Sequence, residues 1–193
     1  MLKKALLLLV FSSLFSQSAP VRPAETPKPY DDGEAYEIYS AIIPSEWPSS
    51  VAKAKTLVIR RETRGYQMCL NPEGESQGRL APAISDYVKR NEKPMLLQNS
   101  FSLDLPYHLL TADELKTIFD AGSWKEFYKQ YPDSGGVIEL SAVGFNKDKT
   151  VAVVYMGHSC GGLCGGGGFH VLQKKDGKWV PLAWKGMSCG WES

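Results

Sequence analysis

The chain has 193 residues, is 43% hydrophobic and carries 22 basic against 21 acidic side chains. That length allows one domain with a sizeable core, and the near-neutral balance offers no basic surface to nucleic acid or an anionic membrane. The cysteine count of 4 is even, which fits disulfides in an oxidising compartment and leaves three pairings open.

Residues 1–19 open with Lys3 and Lys4, continue apolar from Ala5 through Val10, Phe11, Leu14 and Phe15, and end in small residues at Ser16, Ser18 and Ala19. This is the pattern of a secretory signal peptide. The run is shorter than the roughly 20 residues that span a bilayer, and the first cysteine after it is Cys69, too distant for a lipid anchor. Export to the periplasm or the medium is therefore expected, with no stable membrane anchor after cleavage. Pro20, Pro23, Pro27 and Pro29 alternate with charge, so residues 20–33 read as a disordered tether. A single folded domain is expected over 34–193.

Within it, Tyr36, Tyr39, Ile42 and Ile43 share one face of a helix over 34–43. Residues 55–63 form a strand with a β-branched centre, and a loop follows through Cys69 to Gly78. Leu80, Ile84, Tyr87 and Val88 recur at helical spacing over 80–91, with Pro82 placed where a first turn tolerates it. Residues 93–106 read as irregular and partly extended, and 107–110 as a short strand. Thr111 with Glu114, and Ser123 with Glu126, match the capping box, predicting helices over 112–121 and 124–131 that stop at Gly122 and Pro132.

From Gly136 the apolar period becomes two. Residues 137–145, 151–157, 169–175 and 178–185, joined at Asn146–Lys149, the glycine run and Asp176-Gly177, read as a four-stranded antiparallel meander. The second strand is apolar on both faces and should be central; Pro181 puts the last at an edge or a bulge. The expected class is α+β, with helices packed on one face of a mainly antiparallel sheet.

Three strings stand out beyond periodicity: WKEFYKQYPDSGG at 124–136, SAVGFN at 141–146, and CGGLCG at 160–165 before DGKW at 176–179. In these the chain resembles a group of uncharacterised exported bacterial proteins, with YEIYSAII and KTLVIRRET upstream extending the likeness to most of the chain from Tyr36. The resemblance implies export and this fold, and implies no activity. The long glycine run and the GMSCGWES tail depart from the shared pattern, which marks Cys69 and Cys189 as an additional pair.

Chemistry concentrates between Thr150 and Cys189. Gly157-His158-Ser159-Cys160-Gly161 has the letters of a nucleophile elbow, but such a turn must lead into a helix, and here glycines and a strand follow. Cys160 and Cys164 read as a disulfide clip across a floppy loop, worth about 2 kcal/mol for so short a ring. A Cys69–Cys189 bridge would close a ring of about 120 residues and give nearer 5 kcal/mol; pairing of Cys160 or Cys164 with Cys189 stays open. In the alternative, His158, Cys160, Cys164 and His170 gather at a hairpin mouth as a zinc or copper site or a thiol-redox centre. Asp113, Glu114, Glu126 and Glu139 are scattered, and none is nominated as catalytic. Trp184 shares a face with Val180 and Leu182 as a core candidate, leaving Trp179 and Trp191 with His158 and His170 as binding candidates. The reading is an exported, non-enzymatic binding domain without cofactor, recognising an unknown protein or small-molecule ligand through its disulfide-clipped glycine hairpin.

Overall fold

The structure is a computed structural model that describes residues 26–45, 53–65, 78–183 and 190–193. The expected signal peptide, the loop containing Cys69, and Trp184 and Cys189 lie outside them. The described elements run α1 (Gly33–Ser45), β1 (Thr56–Arg60), α2 (Ala81–Arg90), β2 (Tyr107–Leu110), α3 (Ala112–Gln130), β3 (Ser134–Leu140), β4 (Gly144–Phe145), β5 (Val151–Gly161), β6 (Cys164–Lys175), β7 (Lys178–Pro181) and β8 (Gly190–Glu192). This is an α+β fold: helices on one mixed, mostly antiparallel eight-stranded sheet ordered β2-β1-β3-β5-β6-β7, with β4 on β5 and β8 on β6. Among the described residues no helix is long and apolar enough to cross a membrane.

β1 pairs in parallel with both β2 and β3, a long-range choice that local pattern does not carry. From β3 onward every pairing is antiparallel. The expected strand over 137–145 is broken into β3 and β4, because the Ser141 hydroxyl takes the Tyr155 N–H at 2.8 Å in place of a ladder carbonyl. β5 is buried from Val151 to His158 and lies inside the sheet, while β7 with Pro181 closes its edge. Asp176 and Gly177 both have positive φ, 49° and 77°, as a two-residue hairpin turn of that sequence requires.

Side chains alternate across a strand, and the alternation shows that the helices lie on both faces rather than one. Leu57, Ile59, Ile138, Leu140 and Val154 pack with α1. On the opposite face, Val151, Val153 and Tyr155 pack with α2, and Val58 and Val137 with α3. α1 is assisted by residues 95–109, whose Leu97 and Phe101 are buried beside it.

Part of the expected tether belongs to the fold. Tyr30 is 3% exposed, its N–H donates to Leu96 O at 2.8 Å, and its hydroxyl accepts from Val143 N at 3.0 Å. Burial pushes its phenol up to about 12, so it serves as a neutral hydrogen-bonding group. Proline and charge hid one large aromatic ring that the core accepts.

At Thr111 the capping box forms: the hydroxyl accepts from Glu114 N at 3.2 Å and the Glu114 carboxylate accepts from Thr111 N at 2.7 Å. α3 breaks where two helices were expected to meet, at Gly122 and Ser123. The second box is absent: Ser123 sits at φ 56°, ψ −145°, far from the extended backbone a cap needs, and the Glu126 carboxylate takes Lys129 at 2.7 Å.

Glu34, in the first turn of α1, ties that helix to the β6–β7 hairpin. Its carboxylate accepts from Lys174 Nζ at 2.8 Å and from Trp179 Nε1 at 2.9 Å. The Lys174 hydrogen bond above all holds this carboxyl below its usual range, with Trp179 adding to it against burial. A depressed folded pKa gives stability that is present above the ordinary value, about 4.3 for Glu, and is lost as pH falls through the depressed one. In acid unfolding titrations Glu34→Gln should lose less stability than wild type below about pH 4; parallel curves would refute the linkage.

Candidate functional site

The site is the arm formed by β5 and β6. Their ladder runs unbroken from Val151↔Gln173 to Ser159↔Gly165 and resumes at Gly161↔Cys164, so the glycine run is itself strand, and the turn is only Gly162 and Leu163. The register shift between Ser159 and Gly161 leaves Cys160 as an extra, bulged residue. A bulge re-aims a side chain, and here it brings Cys160 to Cys164, with which it forms a disulfide across a Cα–Cα distance of 5.1 Å. The Cys160 carbonyl accepts from Tyr128 Oη at 2.9 Å, fastening the arm to α3.

The run of glycines is filled by aromatic side chains from neighbouring strands. On the face shared with α2, a Cβ on Gly167 would lie 2.3 Å from Tyr155 Oη and 2.8 Å from Trp191 Nε1; one on Gly165 would lie 3.0 Å from Trp191 Cη2. Trp191 Nε1 donates to Tyr155 Oη at 2.7 Å, and the Tyr155 ring meets Phe169 edge to face. The strand can afford no side chain where two rings lie against it.

His158 is 7% exposed and its Nε2–H donates to Gly135 O at 2.7 Å. Burial lowers its pKa, against the opposing effect of that hydrogen bond, so the imidazole is neutral and stitches the arm to the start of β3. His170 does not join it. His158 is opposite Gly166 and His170 opposite Val154, four residues apart along β5, about 13 Å at strand rise. The expected cluster at a hairpin mouth therefore does not form: the ladder carries the turn past His158, the sulfurs are bonded to each other, and the imidazoles are too far apart to share an ion. Among the described residues no group of three or more His, Cys, Asp or Glu is placed to hold a metal. Neither cysteine starts a helix, the setting that makes a reactive thiolate.

Ser159 lies in the ladder between Val137 and Gly165, with strand rather than helix beyond it, so the elbow motif lacks its structural context. Three of the carboxylates considered above are structurally engaged: Glu114 with the Thr111 cap, Glu126 with Lys129, Glu139 with Arg64 at 2.8 Å. Trp179 is 7% exposed and is a core ring bonded to Glu34, whereas Trp191 is 37% exposed.

The residue that sequence reasoning passed over is Leu163. At 89% exposed, it and Trp191 are the exposed large hydrophobics among the described residues. Its signal was present in CGGLCGGGG: one apolar side chain among glycines, inside a ring closed by cysteines. The arrangement offers a disulfide-closed turn presenting that side chain, with the ring-bearing Trp191 opposite Gly167, three residues of β6 beyond Cys164.

Replacing both Cys160 and Cys164 by serine should lower stability by about 2 kcal/mol, read as a shift in the urea midpoint at unchanged slope. A loss below about 0.5 kcal/mol would mean that the bulge and Tyr128 order the arm unaided.

Fold and site together define an α+β domain with a disulfide-clipped, glycine-rich hairpin arm packed by Tyr155 and Trp191. Comparison of the chain with protein-family models, with curated proteins and with solved structures finds no match.

Proposed function

We propose that this chain is an exported, non-enzymatic protein-recognition domain whose contact surface is the tip of the β5–β6 hairpin. One observation carries the reading: Leu163 is 89% exposed on a two-residue turn closed by a disulfide. An apolar side chain held this far into water gains about 1.5–3 kcal/mol when a partner covers it fully. Held on a clipped turn, it also loses little conformational freedom on binding, the condition under which a single anchor contributes strongly. The partner of that chemistry is a protein with an apolar pocket of leucine size. Oxidation of the cysteines supports export. The ladder position of Ser159, the buried neutral His158 and the capped or paired carboxylates support a role without bond-making chemistry.

A photo-crosslinking amino acid placed at Leu163 in cells that export the protein tests this. A discrete adduct with one protein is expected from position 163, and none from Lys147 in the exposed turn between β4 and β5. Leu163→Asp, with a photo-crosslinker moved to Gly162, should reduce that adduct at least about tenfold, the cost of burying a charge in an apolar pocket. Absence of any adduct at 163, or the same adducts from 147, would sink the proposal.

A further inference from the structure

β8 joins β6 through three rungs, Gly166↔Glu192, Gly167↔Trp191 and Gly168↔Gly190, with Ser193 N donating to Gly165 O at 3.1 Å. All its residues are exposed. What seats it is the Trp191 ring, lying where Gly165 and Gly167 have no Cβ and donating its N–H to Tyr155 Oη at 2.7 Å. Glycine weakens a strand and marks a place where another group approaches closely; on this face that group is the indole.

β7 and β8 lie on the same edge of β6 and run in the same direction. Continuing the register from Leu172↔Pro181 would set position 185 opposite Gly168, but Gly190 stands there, so β8 does not continue the register of β7. β8 is thus registered independently of β7, and its departure would leave the β7 ladder in place.

The parts of this seat are a backbone edge, two missing side chains and one phenol oxygen. They recognise an extended peptide with tryptophan at the rung opposite Gly167, whichever chain supplies it, by the same strand addition that other sheet edges use for ligands. We propose that the outer edge of β6 at 165–168 is a strand-binding site for a tryptophan-bearing extended segment of a partner protein, and that β8 is its resident occupant. The proposal rests on the hairpin being a protein-recognition surface and supplies the mode of recognition.

The test uses the full chain carrying Trp191→Ala, which removes the competing ring, and two synthetic peptides, Gly-Trp-Glu-Ser and Gly-Ala-Glu-Ser. Backbone amide resonances at 165–168 are followed to millimolar peptide. The tryptophan peptide should shift them with an affinity at least about tenfold above that of the alanine peptide, and at least about tenfold above its affinity for wild type, whose own ring competes. Adding Tyr155→Phe should weaken the tryptophan peptide several-fold by removing the indole's acceptor. Adding Gly167→Val should abolish binding; the amide spectrum itself reports whether that variant is folded, and Tyr155→Phe decides the matter if it is not. No shift with the tryptophan peptide, equal shifts with both, or indifference to Tyr155→Phe overturns the proposal. Leu163→Asp should leave peptide binding unchanged, so failure of the tip to crosslink and failure of the edge to take a strand are separate results.

Discussion

Gly136→Ala is expected to lower stability by about 3 kcal/mol, roughly 6–12 °C in Tm for a chain of this size. Two costs combine. Gly136 sits in β3 at φ 114°, a conformation that costs an L side chain on the order of 1–2 kcal/mol. A Cβ there would also lie 2.2 Å from Ser159 O and 2.9 Å from Cys160 Cα, backbone atoms at the base of the arm that can retreat only by opening the Val137↔Ser159 rung. Overpacking of that kind costs typically about 1–3 kcal/mol. Gly162→Ala is the internal control: nothing lies within 4 Å of a Cβ there, and the change should stay within about 0.5 kcal/mol. Urea unfolding of both variants is the measurement. Equal midpoints would show that β3 does not clasp the arm at this point, and that its strand pairing is looser than the Ser159 and His158 contacts imply.

Gly144→Ala should be as damaging for a different reason. Gly144 lies in β4 under α2, and a Cβ would stand 2.3 Å from Ala83 O and 2.4 Å from both Tyr87 N and Tyr87 Cβ. Three of those contacts are with the helix's own backbone or its first side-chain atom, so no rotamer relieves them. The helix must lift off the sheet, and two groups that hold it down go with it: Asp86 Oδ2, which accepts from Phe145 N at 2.8 Å, and Asn91, whose side chain exchanges hydrogen bonds with Ala142 N at 2.9 Å and Ala142 O at 3.0 Å. A loss of about 3 kcal/mol or more is expected, at the upper end of overpacking costs. Amide exchange should show it locally, with protection falling first in α2 and β4. A loss below about 1 kcal/mol, or uniform loss of protection with α2 unaffected, would contradict this close packing of helix on strand.

Local pattern was enough for several elements, because the physics behind each is local. Thr111 and Glu114 satisfy backbone groups within one turn, Asp176-Gly177 supplies the two positive φ values of its own turn, and Gly122 interrupts a helix at its own position. The pairing of Cys160 with Cys164 was legible as the shortest ring but left Cys189 open as a partner, and it was the bulge at Cys160 in the β5–β6 ladder that brought those two sulfurs together. The period of two from Gly136 likewise announced strands, and the doubly apolar run at 151–156 announced that its strand would be interior.

Other features depended on partners far along the chain. Every residue carries the backbone groups that pair β1 with β2 and β3, so nothing in 55–63 names those neighbours or makes the pairing parallel. The division of helices between two faces follows from which alternate residues each strand gives to each side, and that is settled only when β1, β3 and β5 lie together. Tyr30 and Trp179 looked like tether and surface until a core accepted one and Glu34 the other. The glycine run is the sharpest case. A sequence without side chains carries no periodicity and reads as loop, yet 165–168 is strand, because Tyr155 on one neighbour and Trp191 on the other occupy the volume those side chains would have filled. Features legible in the chain arise from forces acting within a few residues; the others arise from the fit between surfaces that folding brings together from a distance.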